Sequence, residues 1–257
     1  MRGASSKKPT KPDRMVEAIT EDGLLGGRVR LRQFREGYRA AVDPVLLAAT
    51  VSAKAGERVL DLGTGTGAAA LCLMARIDGL DIVGLEIDAS TAALARENAA
   101  LNGRDRFSVC EGDVASLPRE LVGFDHVISN PPYLESGRSD PSPDPGRRRS
   151  HVEGEGLSTW ILAALAAAAP RGRVSFIQRS DRLGDLMSLL TGRAGGIVVA
   201  PLWPKAGRDA KRVVVQARVG SRAPLRVHPG LVLHEADGGY TRAADDLLRG
   251  GAWDLDG

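Results

Sequence analysis

The 257-residue sequence predicts an α/β fold: a doubly wound, mostly parallel sheet of seven strands with an antiparallel last strand. Three observations predict it. From Arg58 onward, strand-like and helix-like segments alternate. The first of these strands runs straight into a glycine-rich turn, Asp61-Leu62-Gly63-Thr64-Gly65-Thr66-Gly67-Ala68, which opens a helix. The next strand ends on an acid, Glu86, at the roughly 20-residue spacing of nucleotide-binding βαβ units. The pattern is Rossmann-like.

Each element has its own signal. Residues 1–18 form a basic N-terminal tail with Arg2, Lys7, Lys8, Lys11 and Arg14, two prolines and no apolar periodicity. It reads either as a flexible, solvated terminus or as an electrostatic arm for RNA. A single domain, residues 19–250, follows, with a β/helix extension at 19–55. Gly26–Phe34 alternates apolar and polar residues as a strand or hairpin does. Asp43-Pro44 opens a helix, with Asp43 as cap and Pro44 at its first position. The seven strands are expected at Arg58–Leu62, Asp81–Ile87, Phe107–Cys110, Phe124–Ser129, Arg173–Gln178, Ile197–Leu202 and Arg212–Val219. Helices are expected at Ala68–Arg76, at Ser90–Asn102 (capped by Ser90 and ended by Gly103), at Leu157–Ala169 and at Arg182–Leu190. Leu134–Gly156 breaks the rhythm and is rich in Pro, Ser and charge, as functional or disordered loops are. A C-terminal hairpin is expected within 221–241, turning at Pro229-Gly230.

Composition narrows the function classes. With 43% hydrophobic and 26% charged residues the chain is an ordinary globular one, which argues against global disorder. The net charge of +3 permits a polyanionic partner without demanding one. Two cysteines, Cys72 and Cys110, each in an apolar run, make neither a disulfide scaffold nor a zinc site, and four scattered histidines show no metal-ligand spacing. No metal is expected. No apolar run reaches the ~18 residues that span a bilayer, and the N-terminus has no signal-peptide core, so no membrane partner and a cytoplasmic, reducing location are expected.

The glycine turn lets backbone approach a bound cofactor closely. Taken alone it also satisfies the dinucleotide pattern, as Gly63-x-Gly65-x-x-Ala68, and an NAD(P)-dependent oxidoreductase stays open on that ground. Asp61 tips the balance. A carboxylate just before the first glycine repels a pyrophosphate but suits the ammonium and sulfonium of S-adenosylmethionine (SAM). Glu86 is placed to accept from ribose hydroxyls, and Ile87 beside it joins the candidate cofactor set with Asp61, Gly63, Thr64, Gly65 and Gly67. Gly112-Asp113-Val114 follows a strand end. Asp113 and the Val114 amide are placed to read an adenine edge, or Asp113 simply caps a short helix.

After the fourth strand comes Asn130-Pro131-Pro132-Tyr133. With the glycine turn, this resembles the class I SAM-dependent methyltransferases that act on planar amine or amide nitrogens. The chemistry accounts for the residues. An exocyclic amine delocalises its lone pair and is a poor nucleophile. The Asn130 side-chain oxygen and the Pro131 carbonyl can accept its two N–H bonds and aim the lone pair at the methyl. Pro132 holds the turn, and Tyr133 offers a face to a flipped base. Asn130 thus borders the cofactor as well as the acceptor.

Leu31-Arg32-Gln33-Phe34, Gly37-Tyr38-Arg39 and Asp43–Ala49 precede the glycine turn. Gly220–Arg226, Leu233-His234-Glu235 and Asp237–Thr241 come near the end. Together these are similar to the bacterial family of the valine-tRNA adenine N6-methyltransferase. The resemblance implies methyl transfer to the N6 amine of an adenine in structured RNA, with tRNA as the partner, and a monomer or homodimer. It also implies that the Asp43 segment lies beside the cofactor. Other acceptors remain: a guanine N2 in ribosomal RNA, or a protein glutamine amide. Arg147-Arg148-Arg149 is either a grip on RNA phosphates or a solvated charge run.

Overall fold

The structure, a computed structural model, describes residues 18–36, 39–132 and 156–256. The basic tail, Gly37-Tyr38, Tyr133 and the Arg147–Arg149 run lie outside the described residues.

The chain opens with an antiparallel hairpin, β1 (Ile19–Leu24) and β2 (Val29–Phe34), paired from Ile19–Phe34 to Leu24–Val29. Helix α1 (Val42–Ala49) leads to the alternating region: β3 (Arg58–Leu62), α2 (Ala68–Arg76), β4 (Asp81–Glu86), α3 (Ala89–Leu101), β5 (Phe107–Glu111) and β6 (Phe124–Ser129). Then come α4 (Leu157–Ala167), β7 (Ala168–Arg179), α5 (Leu183–Leu190), β8 (Ala194–Lys205), β9 (Arg212–Val219), β10 (Arg226–Val227), β11 (Leu231–His234) and α6 (Arg242–Leu248). The sheet order is β10-β8-β9-β7-β6-β3-β4-β5, with β11 also on β8. Strands β3 to β7 are parallel, and β9, the last of the seven expected strands, runs antiparallel between β7 and β8.

Strand alternation divides the core. Val59, Ile82, Ile128, Ile177 and Val214 face α1 and α2, while Leu60, Leu62, Val127, Phe176 and Val215 face α4 and α5. By the same alternation Asp61 falls on the α2 side, buried beside the first turn of that helix.

Several local expectations are corrected. Helix α1 begins at Val42, so Asp43 and Pro44 sit inside its first turn; Asp43 instead accepts from Arg212 Nε at 3.1 Å, at the edge where β7 ends. Helix α3 is capped by Asp88, whose carboxylate accepts from the Thr91 amide, and Ser90 donates its hydroxyl to the same carboxylate. Helix α4 ends at Ala167 and the chain passes directly into β7, since Ala168 pairs with Phe124. The hairpin expected at Pro229-Gly230 does not form. Strands β10 and β11 both run parallel to β8, at Val198–Val199 and at Leu202–Lys205, as one interrupted edge strand. Pro229 has no N–H to continue the ladder, and the kink is held by the Gly230 amide donating to His228 Nδ1 and Trp203 Nε1 donating to the Pro229 carbonyl. Among the described residues the sheet therefore holds nine strands, the seven expected and these two edge pieces. Packed chain also runs past residue 250: Trp253 and Leu255 are buried, the Trp253 amide donates to the Ala49 carbonyl, and Arg173 grips Asp256 with two bonds of 2.8 and 2.9 Å.

Candidate active site

The parallel strands change direction of growth at β3: β4 and β5 lie to one side, β6 and β7 to the other. Crevices at such switch points, outside the carboxyl ends of the strands, are where these sheets bind ligands. Both chemistry-bearing segments emerge there. Leu62 and Ser129 are paired partners, and the Ser129 hydroxyl donates to the Leu62 carbonyl at 2.9 Å. The next residues, Gly63 and Asn130, are therefore lateral neighbours at the mouth of the crevice.

The cradle is set by backbone. The amides of Gly63 and Thr64 both donate to the Leu85 carbonyl, at 2.9 and 3.0 Å. Gly63, Gly65 and Gly67 have φ of 66°, 58° and 89°, a region that a side chain disfavours. A Cβ on Gly63 would lie 2.6 Å from Cη2 and Cζ3 of Trp160. Above Gly65 there is no described atom within 4 Å of where a Cβ would stand, so this side of the loop is open to a ligand. Gly84, in the neighbouring strand, leaves room for the Thr64 side chain, which a Cβ there would meet at 2.6 Å.

Two acids flank the cradle. Asp61 is buried and accepts from the Thr64 hydroxyl at 2.8 Å and from the Ala70 amide. Burial pushes its pKa up to about 7, against those two bonds, and the nearby Glu86 charge adds to the rise. Glu86 accepts from the Gly65 amide at 2.9 Å and the Asp88 amide at 3.0 Å, and burial raises its pKa as well. Ile87, just beyond, is 49% exposed for a large apolar side chain on the crevice rim. Next along the edge, the Gly112 amide donates to the Glu86 carbonyl, and Asp113 caps the turn Val114–Ser116 by accepting from the Ala115 amide at 2.8 Å. The capping alternative for Asp113 is thus realised through one carboxylate oxygen. The Val114 side chain is buried.

Asn130 is half-buried, Pro131 buried and Pro132 exposed. The structure brings Asp61, Gly63, Thr64, Gly65, Gly67, Glu86, Ile87, Asp113, Val114 and Asn130 to the carboxyl end of one sheet. Two residues of this region escape pattern reading. Trp160, on the first turn of α4, looks in sequence like part of an Ala-rich core helix. Asn98 on α3 is fully buried, and its amide donates to the carbonyls of Thr66 and Arg32, each at 2.9 Å, while accepting from the Arg32 amide. The one signal for Asn98 is a polar residue on the face that carries Ala95 and Ala99.

Open space over Gly65, a buried carboxylate behind the loop and a second acid in front of it fit SAM, whose charged end and ribose ask for those groups. An oxidoreductase cofactor would instead bring a pyrophosphate against Asp61. With an Asn-Pro-Pro turn one strand away, the site is that of a class I SAM-dependent methyltransferase. Comparison with known proteins goes further. Residues 41–142 match the family model "Methyltransferase small domain". The chain is 33% identical over 215 residues to a tRNA1(Val) (adenine(37)-N6)-methyltransferase of Porphyromonas gingivalis, spanning 79% of this chain and 84% of that one. It is 30% identical over 212 residues to the protein of that name from Actinobacillus pleuropneumoniae, spanning 80% and 87%. A solved structure from Agrobacterium tumefaciens, described as a predicted O-methyltransferase, matches with a TM-score of 0.70 at 30% identity, over 84% of this chain and all of that one. The chain belongs to the tRNA1(Val) (adenine(37)-N6)-methyltransferase family.

Among the described residues no cluster of His, Cys, Asp or Glu is arranged to hold a metal, and no helix is long and apolar enough to cross a membrane.

Proposed function

We propose that the protein methylates the N6 amine of an adenine in tRNA. The observation that carries this is the pairing of Leu62 with Ser129, from which Gly63 and Asn130 leave adjacent strands at the switch point; this supports donor and acceptor sites that share a wall. SAM supplies the methyl: its S–CH3 bond breaks as the N–CH3 bond forms, and a proton leaves the nitrogen.

The chain's residues do the positioning. The backbone of Gly63, Thr64, Gly65 and Gly67 cradles the cofactor. Asp61 opposes its ammonium, and Glu86 gives up the Gly65 amide to receive the ribose hydroxyls. Ile87 lies against the adenine ring, and the free oxygen of Asp113 with the Val114 amide reads its edge. Asn130 Oδ1 and the Pro131 carbonyl accept the two N–H bonds of the target amine, and Pro132 keeps the turn rigid. Tyr133 stacks on the base lifted out of the RNA, a contact worth about 1–3 kcal/mol. A primary amine has two N–H bonds for these two acceptors; a hydroxyl acceptor has one. Holding both reactants in line supplies roughly 7–11 kcal/mol of the barrier reduction.

The relatives' name specifies a tRNA adenine, which supports the RNA over a protein glutamine or a guanine. The test is transfer of labelled methyl from SAM to tRNA and to protein from a host lacking this gene. Label in tRNA, released as N6-methyladenosine on digestion, supports the reading; label in protein or as methylguanosine overturns it.

A further inference from the structure

Trp160 has no place in the chemistry above, yet it closes on the first glycine of the cradle. It lies on the first turn of α4, and α4 packs on β3, β6 and β7, the first two of which deliver Gly63 and Asn130. The far edge of its indole closes on the Gly63 backbone so tightly that a methyl group there would overlap it. Its neighbours Leu157, Ile161 and Ala164 are buried in the core, whereas Trp160 packs against that core while staying only half-buried. An aromatic ring against the first glycine, on a helix packed over the strands that end at Leu62 and Ser129, borders the proposed point of methyl transfer.

We propose that Trp160 is a cofactor-binding residue whose indole face receives the sulfonium cation of SAM. Tryptophan has the strongest π face for a cation among the side chains, and a contact out of bulk water raises its worth. The contact is specific for charge. Transfer of the methyl turns the sulfonium into a neutral thioether, so S-adenosylhomocysteine loses the attraction that SAM enjoys. The ring therefore favours the reactant over the product in the same cradle. Gly63 follows from this: a side chain there would push the ring off the crevice.

The inference rests on SAM lying in the glycine cradle as proposed above, and the test separates the two. Calorimetry on the full chain measures SAM, S-adenosylhomocysteine and sinefungin, which carries an ammonium in place of the sulfonium. Wild-type binding of all three tests the cradle; the change in their ratio tests Trp160. Trp160→Leu is expected to weaken SAM and sinefungin roughly three- to thirtyfold and S-adenosylhomocysteine less than about twofold. Retained S-adenosylhomocysteine binding shows that the variant is folded. Should Trp160→Leu fail to fold, the full chain is made with fluorinated tryptophans, which drain the π face at nearly constant shape. SAM affinity is then expected to fall stepwise with fluorination while S-adenosylhomocysteine affinity holds, and Trp160→Phe in the same series removes the trend. Equal weakening of charged and neutral ligands, or no weakening of either, overturns the proposal.

Discussion

The side-chain amide of Asn98 donates to the backbone carbonyl of Thr66 at 2.9 Å. The same amide exchanges a pair of bonds with the backbone of Arg32, and one turn on, Asn102 does so with Arg30. Asn98 of α3 and Asn102, at that helix's C-terminal cap, thus stand in for a strand against the free edge of β2, and Asn98 also holds the glycine cradle. Replacing Asn98 by Ala removes the partner of half-buried backbone groups at Thr66 and Arg32. The expected loss is about 2–4 kcal/mol of stability, read by urea unfolding, with weaker SAM binding. An unchanged midpoint would remove the tether from the account.

In the role proposed for it, Asp61 is expected to make stability and cofactor binding depend on pH in opposite senses. Its pKa is raised from 3.8 to about 7, so the folded, ligand-free protein holds this proton more tightly than the unfolded chain. Its contribution is therefore best below the unfolded value and is lost as pH rises toward 7, up to a limit of about 4 kcal/mol. Asp61→Asn should gain stability relative to wild type as pH goes from 5 to 8, while SAM binds far more weakly. The ammonium of SAM needs the ionised form, so wild-type binding should release a proton below pH 7 and none at pH 8.5. Calorimetry in buffers of different ionisation heat measures this; proton uptake would contradict it.

Gly63 and Gly103 share a left-handed backbone, with φ of 66° and 60°, but differ in surroundings. A Cβ at Gly103 meets nothing within 4 Å, whereas one at Gly63 meets Trp160. Gly103→Ala should cost about 1–2 kcal/mol, the strain of the conformation alone. Gly63→Ala should cost clearly more and should also reduce SAM affinity. Thermal unfolding of the two variants side by side decides, and equal losses would mean that Trp160 yields freely.

Asn130→Ala should leave SAM affinity within a factor of about two and lower turnover on tRNA by roughly a hundredfold or more, as losing one preorganised acceptor does. A variant with near-wild-type turnover would show that the amine is oriented by other groups.

Much of this was legible in the residues. Apolar runs bounded by glycine and acids located all seven main strands, because strands buried on both faces leave a strong local mark, though β7 begins at Ala168, ahead of the expected Arg173. The cradle was legible because its glycines are dictated by backbone geometry close at hand. Helix starts were less so: Asp88 and Ser90 are both good caps, and only the fold decides which carboxylate meets the Thr91 amide. Pro229-Gly230 has the composition of a hairpin turn, but β8 offered an open edge that local sequence does not reveal. Asn98 and Trp160 were invisible for one reason. Their partners, Thr66 and Gly63, lie 32 and 97 positions away, and helix periodicity marks them only as core-facing.

The interrupted strand beyond β8 has a bearing on colloidal behaviour. A long bare edge on a nine-stranded sheet would be a template on which other copies could polymerise. Here that edge is taken up by residues of the same chain, and the proline at position 229 breaks the outer rail where a newcomer would have to continue it. Material lacking residues 226–234 would expose the apolar rim of β8 and is expected to precipitate on storage.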